Sequence, residues 1–277
     1  MAGPAPSALT HAVWTHLQGL LDGDPSQARL EAALRQLAKW RSGLIGNTIA
    51  AQAGTTVASG PFAGLVYPGP ASEGGYAPRL LGAYETTLHP VIETIAARPY
   101  ARLIDIGSAE GYYAVGMARR MPQTEIWARD ASPRARDLCA ALARNNGMSD
   151  RVIIGAEITH SDLAVCALAP TAIICDIEGA EDALLDPIAA PGLCAADILV
   201  EVHDLMNPRL SDRIAARFAG THRITRLPRR IDPDALPALT AGWSDLDRLL
   251  ALWEWRGGDT PWLWIDRWPE GAVTSPA

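Results

Sequence analysis

The sequence predicts an α/β fold, a Rossmann-like sheet of seven strands, mostly parallel with the last strand antiparallel, preceded by a helical cap. Three observations predict it. From residue 101 onward, short and almost uninterrupted apolar segments alternate with amphipathic ones, the pattern of parallel strands covered by helices on both faces. The first of these segments, ARLIDIGSAEGYY (101–113), ends in Asp105 and passes through Gly107, Ala109 and Gly111 into a helix. Such a turn lets a ligand approach bare backbone beside a helix N-terminus. The final connection, a Pro- and Asp-rich stretch and a helix leading to PWLWIDRW, lacks a regular crossover, so the last strand is expected to pair antiparallel with its predecessor.

The elements follow in order. Residues 8–21 and 26–42 read as amphipathic helices, the second with Leu30, Leu34 and Leu37 on one face and Pro25 near its first turn. Residues 45–78 are rich in Gly, Pro, Ser and Thr and read as a long functional surface loop with short strands at 55–58 and 63–67. Helical spacing returns over 79–97, where Pro90 kinks or breaks the run. Strands are predicted at 102–106, 124–129, 151–155, 171–177, 197–203, 221–228 and 261–267. Helices are predicted at 111–120, 132–145, 160–168, 181–190, 208–218 and 244–256. Residues 1–98 form the expected cap and active-site loop, and 99–277 the ligand-binding α/β domain.

Composition narrows the function. The 277 residues carry a net charge of −7, which argues against a general nucleic-acid binder. The one dense basic run, Arg223, Arg226, Arg229 and Arg230, reads as a solvated face. Lys39 is the only lysine, which reads as genome composition rather than mechanism. Cys139, Cys166, Cys175 and Cys194 form no C-x-x-C pair and read as free thiols of a reducing compartment. The N-terminus lacks the features of a signal peptide, and no stretch has the length of a membrane span. The expectation is a cytoplasmic protein with a small-molecule substrate and neither nucleic acid nor membrane as partner. A homodimer is compatible with this composition.

The glycine turn departs from G-x-G-x-x-G. Glu110 stands within it, where its charge would repel a diphosphate. The turn suits instead a nucleoside bearing positive charge, and S-adenosylmethionine, with a sulfonium and an ammonium, is such a ligand. The second strand ends at Asp130, 25 residues after Asp105. A Rossmann-type unit places the carboxylate that grips a ribose diol there. The third strand ends at Ala156-Glu157, where Glu157 either accepts from an adenine amino group or serves as a helix N-terminal acid.

The fourth strand, IICDIEGAED, delivers Asp176 and Glu178 to the carboxyl edge of the sheet, and the fifth, ILVEVHD, delivers Glu201, His203 and Asp204. Strand alternation puts Glu201 and His203 on one side. Three readings are open. His203 takes a proton from a nucleophile, held in one tautomer by Glu201 or Glu178. Alternatively Asp176, Glu178, Glu201 and His203 ligate a divalent metal, or they form a buried ion-pair cluster. The first, with no resident metal, is the expectation. Tyr84-Glu85, on the helix before the first strand, and Tyr112-Tyr113, opening the helix after it, offer rings to a sulfonium or simply pack. Trp243, Trp253, Trp255, Trp262, Trp264 and Trp268 crowd the C-terminal quarter, mostly as core or interface, with one or two walling a substrate pocket.

The segments SGPFAGLVYP, LLGAYETTLHP, DIGSAEGYYAVGMA, CDIEGAE, VEVHD and ALWEWRGGDTPWLW, spread over 59–268, resemble class I S-adenosylmethionine-dependent methyltransferases and, within them, the FkbM-like group. The resemblance implies a seven-stranded methyltransferase sheet with a reversed final strand. It also implies cofactor contacts at Asp105, Gly107, Gly111, Asp130 and the Ala156-Glu157 turn. Ser108, Glu110, Asp176, Tyr84 and Glu85 complete the expected cofactor set, and His203, Glu201 and Glu178 the catalytic one. Ala109 stands where the commoner motif has its middle glycine. Family members mostly methylate hydroxyls of small metabolites or sugars, which implies transfer to a hydroxyl or amine in specialised biosynthesis. The alternative is non-methyl chemistry on the same cofactor, such as closing its aminobutyrate chain into a ring with release of methylthioadenosine.

Overall fold

A computed structural model describes residues 7–69 and 74–267. Residues 1–6, residues 70–73 of the expected loop and Trp268 lie outside the described residues. Seven strands build one sheet: β1 (Arg102–Ile106), β2 (Glu125–Arg129), β3 (Val152–Gly155), β4 (Thr171–Cys175), β5 (Ala196–Glu201), β6 (His222–Leu227) and β7 (Trp262–Arg267). Their spatial order is β3-β2-β1-β4-β5-β7-β6. Neighbours run parallel except at β7, which is antiparallel to both β5 and β6. The last strand therefore pairs with its predecessor as expected. It also inserts between β5 and β6.

Side-chain alternation along the strands feeds two separate cores. Leu103, Ile174 and Leu199 join one hydrophobic cluster, while Ile104, Ile173 and Ile198 join the other. The helices that cover these faces include α5 (Tyr112–Arg120), α6 (Pro133–Asn145), α7 (Glu181–Leu184), α8 (Leu210–Phe218) and α9 (Asp245–Leu252). Three expected helices come out shorter, among them 244–256, which ends at Leu252. The 160–168 segment is a 3-10 turn over Asp162–Ala167, and 181–190 keeps only α7. Pro187 and Pro191 explain the latter, because the residue before a proline is pushed out of the α region.

The N-terminal region departs further. Helix α1 (Ala8–Leu21) is capped by Ser7, whose side chain accepts from the Thr10 amide. Helix α2 (Gln27–Ala53), capped by Ser26, runs eleven residues past the expected end at 42. Gly46, read as a loop residue, is a helical contact point instead. A Cβ on Gly46 would lie 3.0 Å from the Tyr76 ring and 3.3 Å from the Ala77 amide. That glycine lets α3 (Tyr76–Leu81) lie against α2. Ile45 and Ile49 are buried, whereas Leu30, Leu34 and Leu37 are 62%, 68% and 43% exposed. The helix thus packs by its C-terminal half, and the leucine face points to solvent. The two short strands expected at 55–58 and 63–67 reduce to a single bridge between Thr56 and Val66.

Gly82, in the left-handed region, ends α3, and α4 (His89–Ala97) starts with Pro90 in its first turn. Tyr84 and Glu85 therefore lie in the break between helices rather than on one. Three of the four arginines in the basic run pair with acids: Arg223 with Asp266, Arg226 with Asp204, and Arg229 with Glu254. All four cysteines are free thiols. Among the described residues no helix is long and apolar enough to cross a membrane.

Candidate functional site

The carboxyl edge of β1 turns sharply because two positions tolerate what other residues would not. Gly107 has φ +80°, and a Cβ on it would sit 1.7 Å from the Asp176 carbonyl oxygen. Only glycine lets the end of β1 pass so close to the end of β4. The Gly107 and Ser108 amides both donate to the Arg129 carbonyl, at 2.8 and 3.1 Å, tying the turn to β2. Ala109 takes φ +47° without glycine's freedom. Its amide donates to Asp130 Oδ2 at 2.9 Å, and the Ser132 amide donates to Asp130 Oδ1 at 2.8 Å. A carboxylate has about four acceptor sites, so Asp130 is fixed by two amides and retains capacity for a ligand.

Asp105 is buried, and its Oδ2 accepts from the Ala114 amide at 2.9 Å, one of the orphan donors of α5. Burial pushes its carboxyl up to about 7 against that bond, and the charges of Asp130 and Glu110 push the same way. Glu110 is not the bare charge that the sequence implies. The Tyr67 hydroxyl donates to it, and Arg79 Nε lies 3.5 Å away. The Arg79 guanidinium in turn stands 3.8 Å over the Tyr84 ring. The long loop therefore reaches the turn through Tyr67, and α3 reaches it through Arg79. Gly111 has a packing role: a Cβ there would meet Cys139 Sγ at 2.6 Å, so this glycine seats α5 on α6.

These groups line a cavity of about 550 Å³, a size ordinary for small-ligand sites. Its wall takes in Asp105, Gly107, Ser108, Glu110, Asp130, Glu157, Asp176 and Tyr84 from the expected set. Arg79, Tyr112, Tyr113 and Trp262 add to it. Gly111, Ala156 and Glu85 do not line it. Ser108 lines the cavity, and its buried Oγ has no hydrogen-bond partner among the described residues.

A second cavity, of about 520 Å³, adjoins the first and shares Tyr84, Asp176 and Glu178 with it. His203, only 4% exposed, lies in its wall. Glu181, the first residue of α7 and fully buried, brings Oε1 to 2.8 Å from His203 Nδ1. The Gly179 and Ile177 amides donate to the same oxygen at 3.2 and 3.3 Å. These bonds hold the Glu181 carboxyl below its ordinary value despite burial. An ionised carboxylate only accepts, so the imidazole keeps its proton on Nδ1. Nε2 then faces the other carboxylates, 3.2 Å from Glu178 Oε2 and 3.8 Å from Asp176 Oδ1. Burial alone would lower the His203 pKa. The bond and charge of Glu181, with the charges of Glu201 and Glu178, raise it overall.

The residue that orients His203 is therefore Glu181, and neither Glu201 nor Glu178. Glu178 meets the opposite ring nitrogen, and its backbone is held at φ +51°. Glu201 is drawn away by Arg256, which donates to it. The same guanidinium donates to Glu85 and to Glu254 Oε2, the latter at 3.1 Å. Tyr113 donates to Glu85, and the Glu85 amide donates to Glu254 Oε1 at 3.0 Å. Glu85 and Glu201 thus belong to a buried cage around Arg256. Burial pushes the Glu85 carboxyl up to about 7, against the pull of Arg256. Asp176 is also raised, by burial first and then by the Glu201 charge.

No family model matches the chain, and no curated protein matches it. Solved structures do. The chain is similar to the O-methyltransferase TomG from Streptomyces achromogenes, involved in tomaymycin synthesis and in complex with SAM. Identity is 13%, coverage 92% of this chain and 96% of that one, and the TM-score 0.44. It is also similar to an O-methyltransferase from Bacillus cereus in complex with SAH, at 11% identity, 95% and 93% coverage and a TM-score of 0.42.

Three side chains of the candidate site escape the sequence reading. Glu181 sits inside the motif CDIEGAE, and its helix-opening position is the signal that could have found it. Arg79 is a cation just before the Tyr84-Glu85 pair, a weaker signal. Arg256 sits inside the quoted segment ALWEWRGGDTPWLW, but nothing local marks its role, since its partners Glu85 and Glu201 lie 171 and 55 residues away.

Proposed function

We propose that this chain is an S-adenosylmethionine-dependent methyltransferase acting on a hydroxyl or amine of a small molecule. One observation carries the reading: two cavities of similar volume meet at Tyr84, Asp176 and Glu178, with the oriented imidazole of His203 in the second. The first cavity fits the cofactor on its own chemistry. Asp130 and Glu157 would receive the ribose and adenine end. Asp105 and Glu110 would receive the ammonium, and Arg79 the carboxylate, of the amino-acid end. The unpartnered Ser108 hydroxyl supplies one more donor. The FkbM-like placement rests on the motifs quoted above.

When bound, the cofactor supplies a methyl group on sulfonium to an in-line nucleophile. The chain's own residues do the rest. The shared wall orients the acceptor in the second cavity, and His203 Nε2 accepts the acceptor's proton as the new bond to carbon forms. Glu181 stabilises the resulting imidazolium from the opposite nitrogen. A second cavity is what an acceptor requires and what a cyclising enzyme would not, so transfer is favoured over cyclisation. The test is to incubate the protein with S-adenosylmethionine, alone and with acceptor panels, and to identify the nucleoside formed. S-adenosylhomocysteine appearing only with an acceptor supports the proposal. Methylthioadenosine from the cofactor alone would overturn it.

A second reading has its own observation. One ligand atom each from Asp176, Glu178 and His203 lie within 4.8 Å of one another, so the three could hold a divalent cation that acidifies an acceptor hydroxyl. Turnover that vanishes in chelator and returns with Mg²⁺ or Mn²⁺ would favour this reading. Full turnover in chelator removes it.

A further inference from the structure

The second cavity carries a feature that neither the cofactor nor proton transfer uses. Its wall bears seven acidic or basic side chains: Lys39, Asp176, Glu178, Glu201, His203, Glu254 and Arg256. Six of them are committed to one another or to neighbours. Arg256 holds Glu201 and Glu254, and Asp176 and Glu178 flank His203 Nε2. Lys39 alone has no carboxylate partner among the described residues. A chain with 24 lysines and arginines thus places its single lysine, unpaired, in the wall of this cavity.

The surroundings of Lys39 are built. Its Nζ stands 5.4 Å from the centroid of the Trp255 ring. Trp255 takes φ +66°, a strained value for a bulky residue. Its indole NH donates to the buried Ser42 Oγ at 3.1 Å, which anchors the ring to α2. Arg35, one turn before Lys39 on α2, donates to the backbone oxygens of Trp255 and Arg256, at 2.5 and 3.4 Å. The cation and its aromatic platform are therefore positioned together, on a wall contributed by α2 and segment 253–260. Leu205 and Met206, 67% and 65% exposed, supply apolar surface from the turn after β5.

We propose that the acceptor is an anion: a small hydroxylated or aminated molecule whose carboxylate or phosphate binds Lys39. Its apolar body lies against Trp255, Leu205 and Met206, and its nucleophile reaches His203. The cavity is a dipolar slot, with an acidic pole shared with the cofactor cavity and a basic pole at Lys39. A flexible ammonium with three donors suits either anion, because it does not demand the bidentate geometry of arginine. The proposal rests on the second cavity being the acceptor site.

A single lysine makes the test selective. Reductive methylation with ¹³C-formaldehyde keeps the charge and gives one side-chain resonance, assigned by its loss in Lys39→Arg. The probes are matched pairs: hydroxybenzoates against hydroxybenzamides, hydroxyalkanoates against hydroxyalkanamides, and hydroxyphenyl phosphates against the parent diols. The expected result is a saturable shift of the Lys39 resonance with at least one acid. Calorimetry on unmodified protein should give that acid at least a tenfold tighter Kd than its neutral partner. Lys39→Gln should abolish the preference and Lys39→Arg retain part of it, with S-adenosylhomocysteine affinity unchanged in both. Preference for carboxylates or for phosphates decides the anion. If no acid moves the resonance, or neutral partners bind equally, the proposal is overturned. A protein that shows the acid preference but binds no S-adenosylhomocysteine keeps the anion site and loses the methyltransferase reading.

Discussion

In the proposed reaction His203 concentrates the chemistry in one side chain, because Glu181 fixes its Nδ1 proton and leaves Nε2 toward the shared wall. His203→Ala is expected to lower turnover at least about a hundredfold, the usual scale of general-base catalysis, while leaving cofactor affinity intact. Unchanged turnover in a titration-verified, folded variant would sink the assignment. The pH profile supplies a finer check. A base must be neutral to accept a proton, and Glu181 contributes to raising the His203 pKa, so the rate should climb with pH on an acidic limb set by that pKa. Glu181→Gln should move this limb to lower pH, and a limb that stays in place contradicts the pairing. Asp105 makes the opposite trade. Its folded-state pKa of about 7 lies above the ordinary value, so its contribution to stability is full in acid and is lost as pH rises toward 7. Asp105→Asn retains an acceptor for the Ala114 amide. It should raise Tm at pH 8 by at least roughly 2–4 °C, the shift expected per kcal/mol at this size, while weakening S-adenosylmethionine binding in calorimetry.

The elements were legible where local chemistry governs them and misread where a distant partner does. Most strands follow from apolar runs and β6 from its alternation, and the placement of Asp105 and Asp130 follows from their strand ends, because these are properties of short windows. The C-terminal half of α2 was obscured by Gly43, Gly46 and Asn47, which carry low helix propensity. Tertiary packing overrides that propensity, since Gly46 is the point where α3 approaches. Alternation along β5 puts Glu201 and His203 in the wall of one cavity, as expected, and what it does not reveal is which partner each one takes. β5 ends at Glu201, and beyond it Arg256 captures the glutamate while the chain turns to bring His203 to Glu181. The turn after β1 tests how far an element depends on one missing methyl group. Gly107→Ala adds a Cβ against the Asp176 carbonyl at positive φ, so a loss of at least about 2 kcal/mol is expected from strain alone. Denaturant unfolding measures it, and a variant as stable as the parent would show that the β1 and β4 ends can separate freely.

At the scale of the molecule, Arg256 is the tie between segment 253–260, the Glu85 break and the β5 edge. Removing it leaves Glu85, Glu201 and Glu254 buried together without their central cation. Arg256→Met should cost about 3–5 kcal/mol, the usual penalty for breaking a buried ion pair by deleting one partner, with a loss of cooperativity visible in thermal unfolding. A near-neutral effect would mean that the three carboxyls take up protons at little cost. The insertion of β7 between β5 and β6 gives this tie a temporal side. A ribosome delivers β1 to β6 before it delivers β7, and until then β5 and β6 have no strand between them. Segment 253–260 and β7 emerge after every other part of the sheet, so the wall that holds Trp255 and Arg256 is assembled last. The nascent chain can complete most of the first cavity early, whereas the second closes only when synthesis reaches β7.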